Sequence, residues 1–151
     1  MEIRKARLGD VGGILDLIQP FVDRDIILGR TPQDMIERIR DYMVAVDEGR
    51  VVGCAALFPG WENLGEVRTV AVDPGVQKKG VGRGLVAACL DEARALGLPR
   101  VFALTYETEF FKRMGFCEVD MHTLPQKIFR DCVRCKKFPD CDEIAMVRDI
   151  T

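Results

Sequence analysis

Apolar residues follow a helical rhythm at the start and in the middle of the chain, and strand-like runs elsewhere. Residues 3–6 suffice for a short first strand. Asp10 stands where a helix N-cap is expected, and Val11, Ile14, Leu15 and Ile18 follow at the i, i+3, i+4, i+7 spacing of one helical face. Gly12 and Gly13 weaken this helix, and Pro20 limits its continuation. A second helix is predicted with Thr31 as its cap, Pro32 in its first position, and Met35, Ile36, Ile39 and Tyr42 as its buried stripe. Residues 43–46 and 51–58 read as an antiparallel pair around Asp47-Glu48-Gly49-Arg50, and residues 65–72 as a further strand. Residues 85–96 form a helix with Val86, Leu90 and Ala93 on one face, stopped by Gly97 and Pro99. A strand over 100–105, a short helix over 109–114 closed by Gly115, and strands over 116–119 and 143–149 complete the order. Residues 121–142 show no clear period. The pattern predicts a mixed α/β sheet.

Composition narrows the class. A chain of 151 residues with 48% hydrophobic and 30% charged positions fits one globular domain with one substantial core. Lys plus Arg is 22 against 24 Asp plus Glu, a net charge of -2, which gives no basic footprint for nucleic acid. No apolar run approaches the roughly 20 residues that span a bilayer. The first residues, Met1-Glu2-Ile3-Arg4-Lys5, lack the apolar stretch of an export signal, so a cytoplasmic protein is expected, with its 6 cysteines as thiols or metal ligands.

The densest chemical signal lies in Val70-Ala71-Val72-Asp73-Pro74-Gly75-Val76-Gln77-Lys78-Lys79-Gly80-Val81-Gly82-Arg83-Gly84-Leu85. An apolar strand runs into a loop of glycines and cations and then into a helix. Glycines let backbone N–H groups approach a phosphate, and a helix N-terminus adds a positive partial charge. A dinucleotide-binding fold fits poorly, because it places its glycine-rich turn after the first strand of a parallel sheet. This loop sits in mid-chain behind an antiparallel meander. Gln77-Lys78-Lys79-Gly80-Val81-Gly82 resembles the GNAT acetyltransferase pattern Gln/Arg-x-x-Gly-x-Gly/Ala, and Phe110 to Phe116 resembles that family's Phe-Tyr-x-x-x-Gly-Phe segment with Phe111 in place of tyrosine. The resemblance implies one GNAT domain over 1–151, with a mixed, mostly antiparallel central sheet flanked by helices. It implies acetyl-CoA as co-substrate, its pyrophosphate held by Gln77, Lys78, Lys79, Gly80, Val81, Gly82, Arg83 and Gly84. The pantetheine arm would pair with the strand at Val70 and Val72.

Further segments are similar to the acetyltransferase module of the N-acetylglutamate synthase family: Ile14 to Ile18, Ile27-Leu28-Gly29-Arg30, Val52 to Leu57, Gly65-Glu66-Val67, Val101 to Thr105 and Leu124-Pro125. The kinase-like domain of many such synthases has no counterpart, so the resemblance implies a standalone short form. It also implies L-glutamate as acceptor and a place in arginine biosynthesis. Arg30 and the backbone at Leu28 and Cys54 carry over by position as acceptor-binding residues. Arg134, with Arg130 as second choice, is expected to anchor a carboxylate, since the arginine fork suits bidentate recognition. Another amino acid, a peptide N-terminus or a polyamine is the alternative acceptor, though a polyamine calls for acids in place of arginines. A non-catalytic CoA-binding sensory module is the non-enzymatic alternative. Small molecules are the expected partners, and nothing in the sequence opposes a homodimer.

Amino acids enter as ammonium ions, so a base must take a proton before the nitrogen attacks a thioester. Glu66, on the strand leading to the loop, is the candidate, against the plainer reading of a strand-edge carboxylate. With Phe111 lacking a hydroxyl, Tyr106 is the substitute acid for the leaving thiolate, or else a core or rim aromatic. Cys54 reads as a small buried thiol and not as a nucleophile. The sequence holds no serine, which excludes a Ser-His-Asp triad around its one histidine, His122. Cys132-x-x-Cys135 followed by Cys141 has the spacing of a structural zinc site with His122 or Asp142 as fourth ligand, or of free thiols in an insertion.

Overall fold

The computed structural model describes residues 1–124 and 142–150, without the side chains of 77–79. In chain order these residues form β1 (Glu2–Lys5), α1 (Val11–Asp23), α2 (Pro32–Glu37), β2 (Tyr42–Asp47), β3 (Arg50–Trp61), β4 (Leu64–Val72), α3 (Val81–Leu96), β5 (Arg100–Thr105), α4 (Thr108–Arg113), β6 (Cys117–Val119) and β7 (Ile144–Asp149). The strands build one seven-stranded sheet in the order β1-β2-β3-β4-β5-β7-β6. Every pairing is antiparallel except β4 with β5. This is the mixed, mostly antiparallel sheet that the sequence implies.

Local chemistry explains the frame. Asp47 faces Arg50 across the β2–β3 hairpin, and the two residues between them, Glu48 and Gly49, have φ of 50° and 75°. Positive φ at both central positions suits a two-residue turn to the twist of its strands. On one face of the sheet, α3 lays Leu85, Val86, Cys89, Leu90 and Ala93 against Val67, Val101, Ala103 and Met146. Gly53 permits that approach: a Cβ there would stand 2.9 Å from Leu85 and 3.0 Å from Val81. On the other face, Ile14 and Ile18 of α1 and Met35 of α2 cover Tyr42, Val44, Cys54, Ala56 and Ala71. At the far end of α3, Gly97 at φ 81° lets Leu98 N–H donate to Ala93 O at 3.0 Å, which closes the helix as predicted.

Four local expectations need correction. First, α1 continues through Pro20 to Asp23. Proline removes one N–H, but the following turn packs Phe21 and Val22 against the apolar cluster of that face. Second, Asp10 precedes α1 without capping it. Its carboxylate takes Arg4 Nη1 at 2.8 Å and Arg7 N–H at 2.7 Å, and the Arg4 contact holds it below the usual carboxylate range. Third, α2 is short. Thr31 caps it through Asp34 N–H, Met35 is buried, and Ile36 is 43% exposed, while Tyr42 belongs to β2. Fourth, α3 begins at Val81, not at Leu85, which puts half of the glycine loop inside a helix.

Candidate active site

The parallel pair β4 and β5 is in register at only two positions, Gly65 with Val101 and Glu66 with Phe102. Beyond Glu66 the strands part, and β5 turns its full length to β7. β4 continues beside β3 through a bulge. Between the pairs Cys54–Ala71 and Ala56–Arg68, β4 carries Thr69 and Val70 against the single Ala55 of β3. Thr69 adopts φ 57°, a strained region for a β-branched residue. The Cys54 thiol donates to its carbonyl oxygen at 3.2 Å and so ties the bulge to β3. The result is a fork with Glu66 at its apex, and with Val70, half-buried, and Val72, buried, along the β4 arm.

Cys54 itself has no exposed surface, and burial pushes its thiol up to about 12. Its backbone lies within the sheet between Val44 and Ala71. The expectation of a small buried thiol holds.

The β4 arm runs into the loop. Asp73 Oδ1 accepts Gly75 N–H at 2.8 Å, and Oδ2 takes Arg50 Nη1 at 2.9 Å. A 3-10 turn over Pro74–Lys79 follows, and Gly80 at φ 73° turns the chain into α3. The first intrahelical bond runs from Gly84 N–H to Gly80 O at 3.1 Å. The N–H groups of Val81, Gly82 and Arg83 therefore precede any helical acceptor at the start of a 16-residue helix, the arrangement that receives a phosphate. Gly82 lies beside the Phe110 ring, which a Cβ there would meet at an ordinary 3.5 Å. Arg83 is exposed beside it. Two expected loop residues do other work. The Val81 side chain is buried in the α3 core, leaving only its backbone for a ligand. Gly84 gives its N–H to Gly80 O within the helix, and a Cβ on it would meet the tip of the exposed Ile3 side chain at 2.5 Å, which that flexible side chain can relieve by turning away. Gln77, Lys78 and Lys79 lie in the turn before Gly80.

On the opposite face the sheet assembles a polar cluster. Register places Tyr42, Ala56 and Arg68 in one row across β2, β3 and β4, with Phe58 and Glu66 paired in the neighbouring row. Glu66 is 3% exposed and flanked by Phe58 on β3 and Phe102 on β5, so it is no strand-edge carboxylate. Arg68 Nη1 stands 3.6 Å from Glu66 Oε1, and its guanidinium lies 4.1 Å over the Phe58 ring. Burial pushes the Tyr42 phenol above its ordinary range, against the opposing influence of its bond to Thr69 and the charges of Arg30 and Arg68. Arg30 and Leu28 are half-buried in the segment between α1 and α2. Burial likewise raises Asp41, opposed by Arg68, Arg38 and Lys5. Arg68, Tyr42 and Thr69 carried no motif. Arg68 alone left a trace: two positions from Glu66 on one strand, it shares that residue's face.

Tyr106 takes the rim position. It is 40% exposed after β5, and its hydroxyl donates to Asp142 Oδ1 at 2.7 Å. Phe111 is buried edge-on against Phe110 and Phe116, with ring centroids at 5.1 and 5.0 Å. Arg130, Arg134, Cys132, Cys135 and Cys141 lie outside the described residues. Among the described residues, no group of three or more His, Cys, Asp or Glu side chains could hold a metal, and no helix is long and apolar enough to cross a membrane.

The chain is similar in sequence and fold to known proteins. The model of the acetyltransferase (GNAT) family matches residues 17–116. An "uncharacterized N-acetyltransferase" of Chlorobaculum tepidum is 40% identical over 148 residues, 98% of this chain and 96% of the relative. The amino-acid acetyltransferase of Mycobacterium tuberculosis is 40% identical over 135 residues, 87% of this chain and 77% of that protein. Among solved structures, a Mycobacterium tuberculosis protein in complex with CoA and NLQ superposes with a TM-score of 0.83 at 34% identity, covering 100% of both chains. N-acetylglutamate synthase from Neisseria gonorrhoeae, complexed with coenzyme A and N-acetyl-glutamate, gives a TM-score of 0.88 at 32% identity over 99% of this chain and 35% of that one.

Proposed function

This chain belongs to the acetyltransferase (GNAT) family, and on that premise we propose that it transfers acetyl from acetyl-CoA to the α-amino group of L-glutamate, a step of arginine biosynthesis. The observation that carries the reading is a buried carboxylate, Glu66, at the apex of the β4–β5 fork. On one side of it runs the arm to the α3 N-terminus, and on the other lies a face bearing Arg30 and Arg68. The residues suit the co-substrate. Backbone N–H groups of Val81, Gly82 and Arg83 would receive its pyrophosphate. The β4 arm at Val70 and Val72 would run beside its pantetheine. Relatives solved with CoA support acetyl-CoA as the co-substrate.

In the proposed reaction Glu66 removes one proton from the acceptor ammonium, and the freed amine attacks the thioester carbonyl. The C–S bond then breaks, and the second amine proton leaves to the thiolate or to solvent, giving the amide and CoA. No acyl-enzyme is needed. Arg30 and Arg68 make the acceptor face suited to an anionic substrate and unsuited to a polyamine. The expected zinc at Cys132, Cys135 and Cys141 rests on sequence spacing alone, and no step runs through it.

The test is thiol release from acetyl-CoA across a panel of amino acids, with each product identified by mass. Glutamate should be preferred over glutamine, its near-isostere, because a buried carboxylate needs an ionic partner that an amide does not. Equal rates on the two would refute glutamate as the acceptor and leave the acetyltransferase reading standing.

A further inference from the structure

Arg68 sits where the sheet register gives it two neighbours of opposite character. Ala56, across from it on β3, is small and buried, while Phe58 in the next row offers a ring face. The guanidinium lies over that face at 4.1 Å and directs Nη1 to 3.6 Å from Glu66 Oε1. A cation seated on an aromatic face and withdrawn from water is held in position more firmly than an exposed arginine. Glu66 has aromatic neighbours, Phe58 and Phe102, on both flanking strands.

We infer that Arg68 is a positioning residue, holding the Glu66 carboxylate at the fork so that it faces the acceptor ammonium. The inference rests on the reading of Glu66 as the base. Other charged groups share the neighbourhood: Arg38 lies 5.1 Å over the same Phe58 ring, Asp41 and Tyr42 face Arg68, and Arg30 faces Tyr42. Asp41 also feels the guanidinium's charge, and Glu66 stands at ion-pair distance from it.

The experiment compares Arg68→Gln, Arg68→Lys, Glu66→Gln and the double variant, reading kcat, acceptor KM, acetyl-CoA Kd and the pH profile of kcat/KM. Arg68→Gln should lower kcat about 10- to 100-fold, the scale of a displaced catalytic group, while leaving acetyl-CoA affinity unchanged. The sign of the pH effect follows from charge. A carboxylate base works when ionised, and removing a positive charge beside it eases protonation, so the acid limb should move to higher pH. Arg68→Lys keeps the charge but loses the planar fork, and should hold the limb near its wild-type position with kcat only partly restored. With Glu66 replaced by Gln, adding Arg68→Gln should slow turnover no further, because the two act as one unit.

A rise in acceptor KM alone with an unmoved limb would make Arg68 a substrate anchor and overturn the inference. Slow Glu66→Gln beside a normal Arg68→Gln would also overturn it, and would leave the base reading intact. Wild-type behaviour of Glu66→Gln would remove both. If Arg68→Gln does not fold, Phe58→Leu decides. It keeps an apolar side chain and removes the ring face, so lower kcat and a raised limb support the inference, and wild-type values overturn it.

Discussion

The two ends of the fork offer ligands different parts of the chain. At the cofactor end, one continuous stretch from Asp73 to Arg83 supplies backbone N–H groups, a left-handed glycine and a helix start. At the acceptor end, sheet register sets Tyr42 of β2 beside Glu66 and Arg68 of β4, and Arg30 comes from the segment between α1 and α2. Recognition by backbone needs glycine at set intervals, and so leaves a contiguous motif. Recognition by side chains needs only that distant positions fall in adjacent rows of one face, which leaves no local trace.

The largest effect expected from breaking this division is at Arg30. Removing one partner of a buried ion pair typically costs about 3–5 kcal/mol, so Arg30→Gln should raise the glutamate KM about a hundredfold or more. Acetyl-CoA affinity, measured by calorimetry on the same protein, should stay at the wild-type value. A parallel loss of both would show that the ends are coupled and the division is not real.

The legible parts follow the same distinction. The β2–β3 hairpin, the β4 strand and the glycine loop were readable because each is set by neighbours in sequence: a positive-φ turn, an apolar run, a helix start. The role of Gly84 was not readable. Whether a glycine faces a phosphate or a side chain depends on what stands opposite, and Ile3 comes from the first strand. Pro20 misled for a similar reason, since packing of Phe21 and Val22 outweighs one missing helical bond. Arg68 was readable only as a residue sharing a face with Glu66. Its shelf on Phe58 required the β3–β4 register, which the Thr69 bulge shifts.

Two glycines in one helical turn sharpen the comparison at intermediate size. Gly82→Val should weaken CoA binding about tenfold or more, because its methyls crowd the N–H groups that receive phosphate, with little change in Tm. A Cβ alone at that position meets the Phe110 ring at an ordinary 3.5 Å, so Gly82→Ala should be mild. Gly84→Val should do the reverse. Its Cβ meets the movable tip of the exposed Ile3 side chain at 2.5 Å, so the cost should fall at or below the low end of the about 1–3 kcal/mol of core overpacking, a small drop in Tm, while CoA affinity per folded molecule holds. Matching losses of affinity in both folded variants would return Gly84 to the cofactor site.

The smallest effect belongs to Asp73, and it tests whether the cofactor end is indifferent to pH while the acceptor end is not. Its carboxylate caps the loop through Gly75 N–H at 2.8 Å and pairs with Arg50 at 2.9 Å. The Arg50 side chain is 66% exposed, so the ion pair is worth little, and the cap matters more. Asp73→Asn keeps an oxygen for Gly75 and should leave CoA Kd at the wild-type value, while Asp73→Ala loses the cap and should weaken binding a few-fold at most. The Gly75 N–H first, and Arg50 second, hold this carboxyl below the usual carboxylate range. A lowered group contributes above its unfolded value of about 3.9, and that contribution is lost only as pH falls through the folded value. Across roughly pH 6 to 8 Asp73 therefore stays charged, and nothing it does should vary. CoA phosphates ionise on their own account, so the quantity to follow is the ratio of the Asp73→Ala and wild-type Kd values, in which the ligand's own titration cancels. That ratio should be flat over this range. A ratio that bends with kcat/KM would mean that one titrating group governs both ends of the fork, and the separation of backbone from side-chain recognition would fail.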